Sequence, residues 1–189
     1  MPGHGRWAGL EGNAAPPSLP PVMASLQINL RKISDGQSSL NCRRADGTVT
    51  WSRVHPFYPR HDLSHFAVET ALGLRQGFFG LITEGWELAD FIQKSVATRL
   101  PTEAFWAECA VGVTELLSRP APPTLTAWQE ALDQSVAGQK LPPFRRVTAE
   151  EYAHLNRLRA SLLARWKVLP AGETLTLDFL AVGEKPALA

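Results

Sequence analysis

Leu26, Ile28 and Leu30 alternate with Gln27, Asn29 and Arg31, which is the period of a strand with one buried face. After Ser34-Asp35-Gly36, a second short run from Ser39 to Arg44 meets Ala45-Asp46-Gly47, and in Thr48 to Arg53 Val49 and Trp51 alternate with polar neighbours. Asp-Gly between two β-rich runs predicts a hairpin. His55-Pro56-Phe57-Tyr58-Pro59 closes this region, because two closely spaced prolines disfavour a helix and a central strand alike.

From Arg60 the apolar period becomes helical. Gly73 and Gly77 bracket a break, and Phe78 to about Ser95 reads as a second helix with Phe78, Leu81, Ile82, Leu88, Ala89 and Ile92 over one broad face. Pro101-Thr102-Glu103 opens a third helix running to about Ser118, where Pro120-Ala121-Pro122-Pro123 stops it, and a fourth is predicted from Thr126 to Ala137. Thr148 with Glu151 three residues on forms a capping pair ahead of a fifth helix whose stripe is Tyr152, Leu155, Leu158, Leu162 and Trp166. Beyond Pro170-Ala171-Gly172, Leu175, Leu177 and Phe179 alternate with Thr174, Thr176 and Asp178, a last strand predicted to join the N-terminal hairpin. The fold expected is α+β: a small, mostly antiparallel sheet from both ends of the chain, packed against about five helices.

Composition narrows this picture. With 189 residues, 44% of them hydrophobic, the chain can bury the core of one domain. Residues 1–22 are rich in Gly, Pro, Ala and Ser, and are expected to be a disordered tail ahead of a single domain over 23–189. Met23, directly before the first patterned segment, is the expected natural start in place of Met1. The 19 basic and 18 acidic residues nearly cancel, which removes the electrostatic warrant for nucleic acid or an anionic membrane as partner. No secretory pattern and no membrane-spanning run is read in the sequence. Cys42 and Cys109 stand far apart, without the spacing of a disulfide framework or a zinc knuckle, so a cytoplasmic location is expected.

The candidate chemistry lies in Arg60-His61-Asp62-Leu63-Ser64-His65-Phe66-Ala67-Val68-Glu69. His61, His65 and Glu69 follow one another at helical spacing, with Asp62 at the edge of the same stripe, on a helix that is otherwise apolar. Histidines at i and i+4 present neighbouring imidazoles, from which two nitrogens can converge on one divalent ion, zinc or another. Glu69 lies about 12 Å along the axis from His61, too far to complete a compact site with both histidines, and is expected behind His65 as its hydrogen-bond partner. The third ligand must come from another element. Glu84, at the edge of the apolar face of the second helix, is the candidate, because a carboxylate facing a core needs a partner. His55, before Pro56, is placed near the mouth of the same site. His154 sits among Glu150, Glu151 and Arg157 on a polar face, and the Arg43-Arg44 and Arg145-Arg146 pairs carry little specificity.

Asp62 occupies the position held by glutamate in the His-Glu-x-x-His motif of zincin-type hydrolases, a resemblance that implies a general base toward metal-bound water, here on a side chain one methylene shorter. His61-Asp62-x-x-His65 also resembles the motif of the helical zinc proteins of ubiquinone biosynthesis. Members of that family carry a further glutamate twelve residues on, and here that place is Gly77. A longer stretch is similar to an uncharacterised family of small bacterial proteins that join an N-terminal strand hairpin to His-Asp-Leu-x-His-Phe-Ala-Val-Glu and Gly-Phe-x-Gly-Leu. Here these are His61 to Glu69 and Gly77 to Leu81, which implies a shared fold and site.

Two functions are compatible with these residues. One is metal-assisted hydrolysis or a related lyase step on a small molecule, with His61, His65 and Glu84 as ligands and Asp62 as base. The other is a non-catalytic structural or interaction module, in which the histidines and acids form a satisfied polar cluster and Phe78-Phe79 offers an apolar patch to a partner or to a second copy of the chain as a homodimer. No Gly-x-Gly-x-x-Gly follows a strand, no phosphate-binding Gly-Lys-Ser/Thr loop is present and Gly-x-Ser-x-Gly is absent, so no nucleotide cofactor is expected. Trp86, Trp106, Trp128 and Trp166 are read as core or interface anchors.

Overall fold

The computed structural model describes residues 24–33, 36–55, 58–93, 95–118 and 121–181; the expected tail over 1–22 and Met23 lie outside them. Three strands come first: β1 (Ala24–Lys32), β2 (Ser38–Arg44) and β3 (Val49–Val54). Five helices follow among the described residues: α1 (Tyr58–Leu72), α2 (Phe78–Thr83), α3 (Thr102–Leu117), α4 (Leu125–Gly138) and α5 (Ala149–Val168). The last strand, β4 (Thr174–Ala181), pairs antiparallel with β1, so the sheet order is β3-β2-β1-β4. This is the α+β architecture expected, with both ends of the patterned sequence meeting at β1.

Register follows the alternation of the sequence. Ile28 pairs with Cys42 on β2 and Leu177 on β4, while Leu30 pairs with Leu40 and Leu175, so these apolar positions fall on one side, whereas Val49, Trp51 and Leu180 are exposed. That side meets Leu63, Phe66 and Ala67 of α1, Phe79 and Ile82 of α2 and Leu162 of α5 in one core. A second core lies beyond α1, where Val68, Ala71 and Leu72 pack against Ala107 and Val111 of α3, Trp128 and Leu132 of α4 and Leu155 of α5. Helix α1 is therefore enclosed between two cores. Its polar stripe is buried along with its apolar faces: Ser64 and Glu69 are 0% exposed and His65 is 2% exposed.

The second helix is shorter than its periodicity predicts. It ends at Thr83 rather than near Ser95, and the chain continues through single 3-10 turns at Asp90–Ile92 and Val96–Thr98. Gly85 adopts φ +109°, a conformation that stops a helix and costs glycine little. The carbonyls released by the break are taken up by Arg44, whose Nε donates to Ile82 O and Nη2 to Trp86 O, each at 2.6 Å. Leu88 N in turn donates to Thr50 Oγ1 at 3.0 Å. These bonds from β2 and β3 offset the lost helical ones. Phe79 is fully buried and Phe78 half-buried against Phe91, so the pair forms core and not the exposed patch the sequence suggested.

Helix α5 opens on the capping pair expected. Thr148 Oγ1 accepts from Glu151 N at 3.2 Å, and Glu151 Oε2 accepts from Thr148 N at 2.8 Å. Arg145 adds a two-pronged ion pair that holds the Glu151 carboxyl down at about 2.

Two outcomes follow from this packing. A Cβ at Gly80 would run into the Arg75 carbonyl, so Gly80→Ala, which in an ordinary helix gains up to about 1 kcal/mol, should instead cost about 1–3 kcal/mol. A lower urea midpoint with unchanged slope would show it, and an unchanged or higher midpoint would refute it. A depressed carboxyl contributes stability above its unfolded value near 4.5 and loses it as pH falls toward about 2. The stability gap between wild type and Glu151→Gln should therefore be largest above pH 5 and shrink by pH 2, and a gap independent of pH would contradict the pairing.

Candidate metal centre

His61 and His65, one turn apart on α1, lie with ring centroids 4.8 Å apart in an edge-to-face arrangement. Helix α3 passes alongside them and brings two glutamates, Glu108 and Glu115, seven residues apart on one face. Glu108 Oε1 stands 3.2 Å from His65 Nε2, and Glu108 Oε2 stands 3.9 Å from His61 Nε2. His61, His65 and Glu108 offer one ligand atom each, all within 4.8 Å of one another, and this cluster can hold a metal ion.

The other nitrogen of each ring also meets a carboxylate. His65 Nδ1 lies 3.2 Å from Glu69 Oε1, and His61 Nδ1 lies 3.2 Å from Glu115 Oε2. A carboxylate at Nδ1 favours the tautomer that carries its proton there and leaves Nε2 as the donor toward an ion, the arrangement seen behind metal-bound histidines generally. Glu69 is fixed in its turn: its Oε2 accepts from Phe79 N at 3.0 Å and from Gly80 N at 3.2 Å. Arg159 of α5 steadies the Glu115 side, donating to Ser64 Oγ at 3.0 Å and to Ser118 Oγ at 2.9 Å.

The electrostatics follow from these contacts. Burial disfavours a charged His65, yet its bonds to Glu108 and Glu69 outweigh that and push it up to about 10. For this buried pair a raised histidine is the direction the geometry supports, since carboxylates stand at both ring nitrogens. Burial also works against charge on Glu108 and Glu115, but the imidazoles beside them hold both carboxyls below their ordinary range. Cys42 is buried and its thiol is pushed up to about 12, by burial first and the Asp62 charge second, and it lies outside the His61–His65–Glu108 cluster.

Asp62 stands apart from this pairing. It is 5% exposed, and its Oδ2 is buried without a hydrogen-bond partner among the described residues. Burial pushes the carboxyl up to about 7 against the pull of His65 and His61. Asp62, His61, His65 and Glu108 line a cleft of about 380 Å3, which His55 also borders.

Glu84, the third ligand expected from sequence, is exposed at the C-cap of α2 and lies outside the cluster. The early end of α2 explains the difference, because the residues after Ile82 turn toward β2 and β3 instead of continuing along α1. The carboxylate that meets the histidines is Glu108. Of the three charged residues of α3, Glu103 has Arg99 and Glu115 has Arg119 four positions away in the sequence, whereas Glu108 has no basic residue within a turn, which marks it as needing a partner from another element without saying which. Position 77 has no room for a ligand, since a Cβ there would lie 2.5 Å from Glu69 Cδ. Comparison with family models, curated proteins and solved structures gives no match for this chain.

The geometry separates the acids by effect. Glu115→Gln should weaken the cluster's affinity for a divalent ion about 10- to 100-fold by loosening His61, while Glu84→Gln leaves it unchanged. Competition titration against a chelating dye would measure both, and equal effects from the two variants would contradict this assignment.

Proposed function

We propose that this protein is a divalent-metal-dependent enzyme acting on a small molecule in the cytoplasm, by metal-assisted hydrolysis or a related lyase step, with zinc as the preferred ion. One observation carries the reading: two imidazoles, each backed by a carboxylate at Nδ1, turn their Nε2 atoms toward the same third carboxylate at a cleft. Two nitrogens and one oxygen are a donor set that suits zinc, and three protein ligands leave a fourth position open, as catalytic sites require. Bound there, such an ion would acidify a water and polarise a carbonyl. Asp62 is the proton acceptor in this reading, because its Oδ2 has no bond of its own to give up. His55, exposed at the border of the cleft, is a group for substrate contact. The similarity of His61–Glu69 and Gly77–Leu81 to the uncharacterised bacterial family supports assigning the same site to its members.

A second reading is favoured by the completeness of the pairing. His61 and His65 both have carboxylates at both ring nitrogens, so the cluster is also a satisfied network that needs no ion to hold α1 against α3.

Elemental analysis of untagged protein, wild type beside His65→Ala, separates the two. The enzyme reading expects about one equivalent of zinc or a similar ion in wild type and its loss in a folded variant. The structural reading expects no metal in either and a stability loss of about 3–5 kcal/mol in the variant, where Glu69 and Glu108 are left without their cation. Asp62→Asn is expected to keep the metal and lose about 10²- to 10⁴-fold in turnover of a hydrolysable substrate.

A further inference from the structure

The lining of the cleft changes character with the element that supplies it. Its acids and histidines nearest the cluster come from α1 and α3, whereas Phe91, Ile92, Val96 and Leu100 come from the irregular segment that follows the break at Gly85. A helix continued from Phe78 to Ser95 would have carried these side chains elsewhere. Arg44 instead secures the carbonyls of Ile82 and Trp86, and the segment becomes an apolar wall of the cavity. Ile92 is 86% exposed and Phe91, Val96 and Leu100 are half-buried, so this wall leaves apolar surface in water beside a buried polar site. The Asp62 carboxylate, 5% exposed with an unpartnered oxygen, lines the same cavity and calls for a hydrogen-bond donor from whatever enters it.

We infer that the cleft takes the amide of an apolar acyl chain, its carbonyl oxygen toward the His61–His65–Glu108 cluster, its N–H toward Asp62 and its chain along the wall formed by Phe91, Val96 and Leu100. The proposal rests on the metal-dependent reading of the same cleft and narrows it to hydrolysis. Water adds its oxygen to the acyl carbon, the carbon–nitrogen bond breaks, and a proton from that water passes through Asp62 to the departing nitrogen, giving a carboxylic acid and an amine. An amide fits this environment better than an ester because only the amide supplies the donor Asp62 lacks. Apolar chains are selected because each methylene laid on the wall leaves water.

Acetyl-, hexanoyl- and octanoyl-hydroxamic acids, which share a carbonyl, an N–H and a metal-seeking head, test the proposal by calorimetry on zinc-supplemented and on chelator-treated protein. Affinity should rise about fourfold per methylene, so about 15-fold from hexanoyl to octanoyl. Val96→Glu should flatten that rise while leaving metal content unchanged. Ile92→Glu, at a position already in water, provides the same comparison should Val96→Glu not fold. Equal affinity for the hexanoyl and octanoyl compounds, or a folded Val96→Glu or Ile92→Glu that keeps the full rise, would overturn the inference. A protein that takes up no metal but keeps the rise would sink the metal-dependent reading and leave the apolar acyl class standing. Metal uptake without the rise would do the reverse.

Discussion

The Glu69 carboxylate is the contact on which the rest of the architecture turns. It is 0% exposed, and a charged group so placed is tolerable only when each oxygen finds a strong partner. One oxygen meets His65 Nδ1 and the other accepts from the backbone of Phe79 and Gly80. A single side chain thus ties α1 to the start of α2 and fixes the ring of the central histidine. Gly77 is required by the same contact, since the carboxylate fills the space a side chain would need. The elements that build the sheet-side core and those that build the cluster are joined at this point.

Helix α1 faces an unusual problem, being buried over most of its length while carrying two histidines and two acids. Apolar packing on two cores would reward an all-apolar helix, so its polar residues are a standing cost unless they are paired. Helix α3 answers most of it with Glu108 and Glu115. The remaining exception among the described residues is one oxygen of Asp62, a residue that lines the cleft. Where a structure satisfies nearly every buried polar atom, an atom left out beside a cavity points to something outside the chain.

The period of the sequence carried the sheet and most of the helices. Alternation at Leu26–Leu30 and Leu175–Phe179 is enforced by burial of one face, and the Thr148 capping pair marks the start of α5 within a residue. The His61–Glu69 stripe was legible because helical spacing alone places those groups together. The partner helix was not. Which carboxylate meets two imidazoles depends on how α1 and α3 cross, and no local pattern in either helix encodes that. The segment after Thr83 misled for a related reason: Leu88 and Ile92 keep a helical period, but Gly85 and the distant Arg44 decide the backbone. Glu84 was assigned inward on the strength of a helix that stops before it.

The strand order β3-β2-β1-β4 has a consequence for how the molecule comes into being. Among the described residues β1 is the first strand, yet one of its two neighbours, β4, is the last, arriving about 150 residues later at the spacing of the Ile28–Leu177 pair. Until then a growing chain carries one edge of β1 with its ladder groups unmet and the apolar sheet face without Leu175, Leu177 and Phe179. The sheet-side core therefore closes only once β4 has joined β1. During that interval the open edge of β1 is a site for mispairing.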